Sequence, residues 1–225
     1  MRTPSVHRLL RIATRLVVVW ALLCAAAIGF GRPALTLALP LFERVIAAVQ
    51  DDFAAGVEMA QDGKAQNGKG WVLRMQPTLV RPVRLNAELA MPAGTRLRWF
   101  ATHVDHTLVP PLLFLMALLA WPPDRRSELL IRLLVALPMF LLILALTAPI
   151  QLVGQVQMVL AELAALAGEP QREPPLVTLM VFMESGGRWL LPLAGAVLCI
   201  ALGRRLRGLS RDTTKARPGL ATRVQ

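Results

Sequence analysis

Four stretches of this chain, residues 16–31, 107–121, 133–150 and 189–203, contain no Asp, Glu, Lys or Arg. A hydrocarbon core ~30 Å thick needs about 20 predominantly apolar residues in a helix, and a helix satisfies its own backbone groups where no water can. The pattern predicts four membrane-spanning helices, over 14–39, 101–121, 129–153 and 186–203. The first is read as uncleaved, because the apolar character runs past Arg32 through PALTLALPLF, longer than a signal-peptide core. A lipoprotein signal is disfavoured by Leu23, a large residue directly before Cys24. In the second span Pro110-Pro111 should start or kink the helix, and the third contains Pro138 and Pro149. The last apolar stretch is broken by Glu184-Ser-Gly-Gly-Arg188. It divides into an interfacial or re-entrant helix over 175–183 and a fourth span over 186–203.

Between the first two spans the pattern changes. Phe42, Val45, Ile46, Val49 and Phe53 recur at helical spacing, which predicts a short amphipathic helix along the outer interface. Asp62-Gly63 and Asn67-Gly68 are turn pairs. Beyond them WVLRMQ alternates Trp71, Leu73 and Met75 against Arg74 and Gln76, and VRLNAELAM alternates Val83, Leu85, Ala87 and Leu89 against Arg84, Asn86 and Glu88. Two or three short strands in a small sheet fit this period of two. A segment this short buries little core by itself, so 40–100 should lean on the membrane or on a partner. The expected fold is mainly α, a polytopic membrane protein with about four transmembrane helices and a small strand-containing (α+β) outer domain between the first and second.

Composition agrees: 55% of residues are hydrophobic, above the roughly 45–50% of soluble domains. The net charge of +11 could suggest nucleic acid, but the basic residues sit beside the apolar runs and Tyr is absent. Placing the N-terminus through Arg15, the 122–132 loop with Glu128 and Arg132, and the 204–225 tail on one side gathers fourteen basic and three acidic residues there. The eleven basic and eleven acidic residues left for the other side cancel. That asymmetry is the positive-inside pattern. It predicts both termini in the cytoplasm of a bacterial inner (cytoplasmic) membrane, with 40–100 and 154–185 outside. The tail is expected to be disordered beyond its first turn.

The segments LNAELAMP (85–92), LVPPLLFLMALLAWP (108–122), LLVALP (133–138) and GGRWLLPLAG (186–195) carry a further likeness. With a small outer domain after the first span and a tight Arg-rich loop after the second, the layout resembles the exosortase H-associated membrane protein family. The resemblance implies an accessory role beside a membrane transpeptidase in cell-surface protein sorting, with an exosortase as partner. It brings no catalytic residues with it.

Three groups of residues could carry chemistry. His103, Asp105 and His106 could offer two imidazoles and a carboxylate to Zn²⁺, although the favoured reading is a polar cap on the second span. Glu184 and Arg188, at i,i+4, can pair along a helix. Counting inward from Asp105 and from Arg188 places these groups at similar depth, so Asp105, His106, Glu184 and Arg188 are expected to form an outer polar belt, with Arg188 bridging Glu184 and Asp105. Cys24 and Cys199 lie within apolar runs and read as small buried hydrophobes. Ser185 lacks a nucleophile elbow, and no phosphate-cradling Gly loop occurs. The expected function is therefore a non-catalytic accessory protein, without a cofactor, held in the lipid bilayer beside another integral membrane protein. A small transporter or channel subunit is the alternative, and a metal-dependent membrane enzyme the third reading.

Overall fold

A computed structural model describes residues 6–62, 70–123, 126–169 and 173–215. The Asn67-Gly68 pair, Gly63, Arg125 and the last ten residues of the tail lie outside the described residues. Helix α1 runs from Val6 to Val49, about 66 Å at ~1.5 Å per residue. It does not stop at residue 39, and no separate interfacial helix follows. Between Pro40 and the Asp51-Asp52 pair no Gly, Asn or Pro interrupts the helical pattern. Phe42 and Ile46 do form a buried apolar face, but that face packs on the strand region rather than on a membrane surface. Val49 is exposed, and Phe53 belongs to a strand.

Among the described residues seven short strands follow: β1 (Phe53–Ala54), β2 (Val57–Gln61), β3 (Trp71–Met75), β4 (Thr78–Leu79), β5 (Val83–Arg84), β6 (Ala90–Met91) and β7 (Phe100–His103). The main sheet is antiparallel, in the order β2-β3-β7. Leu73 lies opposite Met59 on one side and Thr102 on the other. The alternation in WVLRMQ is realised: Leu73 and Met75 are fully buried, whereas Arg74 turns outward to pair with Glu58 at 2.6 Å. VRLNAELAM is not one strand but a hairpin of β5 and β6. The Asn86 side-chain oxygen accepts the backbone N–H of Glu88 and of Leu89, a local turn that outcompetes extension.

Helix α2 spans Val104–Ala120, so residues 101–103, expected to open the second span, instead complete β7. Helix α3 runs from Arg126 to Leu166, well past residue 153. The segment from 154, expected as an outer connection, is the last three turns of this helix. Leu152, Val153, Val156 and Ala164 keep the helical spacing and are buried, most of them against the strand region. The helix ends at Gly168, whose φ of 87° and the bonds Gly168 N–H to Ala165 O and Glu169 N–H to Ala164 O make a Schellman stop. Asn86 donates to Ala167 O at 2.8 Å and Gln157 donates to Gln50 at 2.8 Å, tying this end of α3 to the hairpin and to the end of α1.

Helix α4 (Pro175–Phe182) leads through a kinked turn, Met183–Gly187, in which Gly186 leaves helical geometry, into α5 (Arg188–Lys215). The expected break in the last apolar stretch falls at that turn. Where disorder was expected beyond the first turn of the tail, α5 instead continues to Lys215, and residues 216–225 lie outside the described residues. Among the described residues, three helical stretches are long and apolar enough to cross a membrane: Ile12–Val49, Glu128–Leu166 and Pro175–Leu206. Helix α2 is shorter, about 25 Å. Phe114 and Leu118 of α2 pack with Ala136, Ile143, Ala196, Cys199 and Ile200 in a second core between α2, α3 and α5. Glycines allow these close approaches, as is usual between apolar helices. A Cβ on Gly154 would stand 2.8 Å from Met180, and one on Gly203 2.8 Å from Arg132.

Candidate functional site: a polar pocket at the strand-bearing end

The bundle's polar groups gather where α2, α3 and the α4–α5 junction meet below the sheet. A kink between α4 and α5 creates the junction. Gly186 adopts φ 133°, a conformation that only glycine enters readily, and the break redirects the side chains on either side of it. A small pocket of about 20 Å³ is lined there by His106 of α2, Thr147 and Gln151 of α3, Met180, Met183, Glu184 and Arg188. That volume holds about one water molecule. Gln151 is the central connector: it accepts from the Thr102 hydroxyl at 2.8 Å and donates to the Glu184 carboxylate at 3.2 Å. Gln155, one turn further along α3, donates to Ala101 O at 3.4 Å. The Nε of Arg188 is buried in the structure without a protein hydrogen-bond partner, and its guanidinium lies 5.9 Å from the Trp189 ring.

The sequence-predicted residues are thus partly assembled. His106, Glu184 and Arg188 line one pocket, whereas Asp105 sits exposed in the first turn of α2 and does not line it. Among the described residues no ion pair joins Arg188 to Asp105 or to Glu184. The i,i+4 rule that suggested the Glu184–Arg188 pair holds for α-helical turns, and between these two residues Gly186 leaves helical geometry at φ 133°. His103, at the end of β7, and His106 are exposed, with ring centroids 5.7 Å apart. Among the described residues no three His, Cys, Asp or Glu come together as a metal site. Cys24 and Cys199 are both free, the second buried with its S–H directed at Val135 O.

The chain matches no family model, no curated protein and no solved structure.

Two features of the site escaped the sequence reading. Thr147, Gln151 and Gln155 recur every four residues within an otherwise apolar stretch, a polar stripe on one side of α3 that was visible in the spacing. At the other end of the bundle Glu128 and Arg132, read as loop charges, form a fully buried ion pair. Arg132 also donates to Trp121 O at 3.1 Å, and Arg204 brings its Nε to 3.8 Å from the same carboxylate. The Glu128-x-x-x-Arg132 spacing was legible, but its burial was not.

Proposed function

We propose that this chain is a non-catalytic accessory protein of a bacterial inner membrane that binds a partner membrane protein. It crosses the bilayer four times, with α2 as the short span, both termini in the cytoplasm and the strand region outside. The supporting observation is how the chain divides its groups. Gln151 is engaged by Thr102 and Glu184, Glu128 by Arg132, and the polar pocket has room for one water rather than a substrate. Helix α1, by contrast, buries none of its most apolar stretch within the chain. Its exposed Phe30 and Leu37, seven residues apart, share one side and exposed Ile28 lies on the opposite one, so both sides offer apolar surface for lateral packing of the kind that joins membrane helices. The resemblance noted above makes an exosortase the partner to test, in cell-surface protein sorting.

A photo-crosslinking residue at Ile28 or Leu37, with the full chain co-expressed with the exosortase of the same genome, should give an adduct between the two proteins. Adducts only between copies of this chain would favour the transporter or channel reading and overturn the accessory one. Orientation has its own check. Reporter fusions after residues 126 and 215 should read inside and one after residue 65 outside, as the +11 on one side requires. An outside signal at 126 or 215 would reverse the assignment.

A further inference from the structure

We infer that the polar pocket beside the α4–α5 kink receives the headgroup of a zwitterionic phospholipid, phosphatidylethanolamine, with Arg188 taking the phosphate and Glu184 the ammonium. The inference rests on the reading that α5 crosses the bilayer, and it is independent of any protein partner. Hydrogen-bonding capacity decides what the pocket can take. The Gln151 amide is engaged on both sides, accepting from Thr102 and donating to Glu184, and the Thr147 hydroxyl donates to Leu144 O at 2.9 Å. What remains is one donor and one acceptor of opposite charge. Arg188 keeps a buried Nε–H with no protein acceptor. Among the described residues Glu184 accepts only the Gln151 bond, on Oε1, and a carboxylate has room for several more donors. A cation and an anion thus line the same pocket without pairing with each other. Their complement is a ligand that carries an anion and an N–H-bearing cation close together, as phosphoethanolamine does. Arginine is well suited to phosphate oxygens, and a primary ammonium brings three donors.

Depth and surroundings favour a lipid over a water-soluble ligand. The apolar segment of α5 ends at Gly203, and from there back to Arg188 the helix rises about 22 Å. The pocket therefore lies near the far edge of a hydrocarbon core ~30 Å thick, at the depth where phospholipid phosphates begin. A guanidinium at that depth is costly unless an acceptor meets it. The chain neighbours of Met183 and Arg188, Phe182 and Trp189, are large, apolar and exposed, so the outside of the junction suits acyl chains rather than water. Trp is favoured where hydrocarbon meets headgroups, and the Arg188 guanidinium lies 5.9 Å from the Trp189 ring. Size sets how the headgroup sits. A volume of about 20 Å³ takes one water-sized group. One phosphate oxygen enters beside Arg188, and the ethanolamine stays at the mouth against the exposed Glu184.

The test uses the full chain in dodecyl maltoside micelles, titrated with phosphatidylethanolamine, phosphatidylglycerol or phosphatidylcholine of the same acyl chains. The apparent Kd is read by thermophoresis. Wild type should bind phosphatidylethanolamine roughly tenfold tighter than the other two. Phosphatidylglycerol lacks the cation, and the quaternary ammonium of choline has no N–H to donate. Arg188→Gln should weaken phosphatidylethanolamine and phosphatidylglycerol alike, each by roughly tenfold. Glu184→Gln should erase the preference by weakening phosphatidylethanolamine without weakening phosphatidylglycerol, a selective change that a misfolded protein would not show. Arg81→Gln, which removes a charge paired with Asp51 in the strand region, should leave every affinity within about twofold of wild type. Equal wild-type affinities for the lipids, an unchanged Arg188→Gln, a Glu184→Gln that keeps the preference, or an equal loss in Arg81→Gln would overturn the inference. So would displacement of the lipid by millimolar free phosphoethanolamine, which would assign the pocket to a water-soluble ligand. Micelles have no sides, so failure of this titration and failure of the reporter fusions are separate results.

Discussion

Replacing Arg132 with Ala should lower the unfolding temperature of the purified protein by more than any single substitution at the strand-bearing end. The Glu128 and Arg132 side chains are both fully buried, and Arg132 holds Glu128 with one guanidinium nitrogen and Trp121 O with another. Truncating Arg132 strands a carboxylate in a dehydrated site and leaves a backbone carbonyl short of its donor. Breaking a buried pair from one side costs about 3–5 kcal/mol, a large share of the 5–15 kcal/mol that holds a typical domain together. Arg204, at 3.8 Å and half exposed, recovers only part of this. A drop on the order of 10 °C is expected for a chain of this length. Removing both charges while keeping volume, in Glu128→Gln/Arg132→Met, should return most of the loss, because no unpaired charge remains buried. Thermal unfolding followed by monodispersity in mild detergent reads both variants. An Arg132→Ala protein within about 2 °C of wild type would show that the pair does not hold this end together.

Gly187→Ala should be the most damaging change at the other end. A Cβ there would stand 2.5 Å from Cε1 of Phe182 and 2.9 Å from the Phe182 carbonyl oxygen. The ring can swing away, but the carbonyl belongs to the helix backbone, so the kinked turn itself must shift. Overpacking of this kind costs about 1–3 kcal/mol, or roughly 2–10 °C. The shift would also move Glu184 away from Gln151. Gly29→Ala supplies the contrast: nothing lies within 4 Å of its Cβ position, and alanine is the better helix former by about 0.5–1 kcal/mol. That variant should be neutral or slightly stabilised. Equal unfolding temperatures for the two alanine variants would mean that the junction is not tightly packed.

Much of the helical framework was legible in the chain because it depends on composition over long windows. Uncharged runs made the apolar cores of α1, α2, α3 and α5 unavoidable, and the alternation around Leu73 defined β3 together with its buried face. Element ends were less legible, because helix continuation is decided by what the next turn packs against. Phe42 and Ile46 extend α1, and Leu152, Val153 and Val156 extend α3, since the strand region covers their apolar sides. Residues 101–103 show the same dependence: their apolar neighbours suit either element, and pairing with β3 made them a strand. The polar groups were the least determined by sequence. Spacing could pair Glu184 with Arg188 only on the assumption of an α-helical turn, and Gly186, at φ 133°, breaks that turn. Spacing could also place Glu128 and Arg132 on one side of a helix. Their dehydration was decided by tertiary packing, because Gly203 lets α5 close over Arg132 and leaves the guanidinium only Glu128 and Trp121 O in place of water.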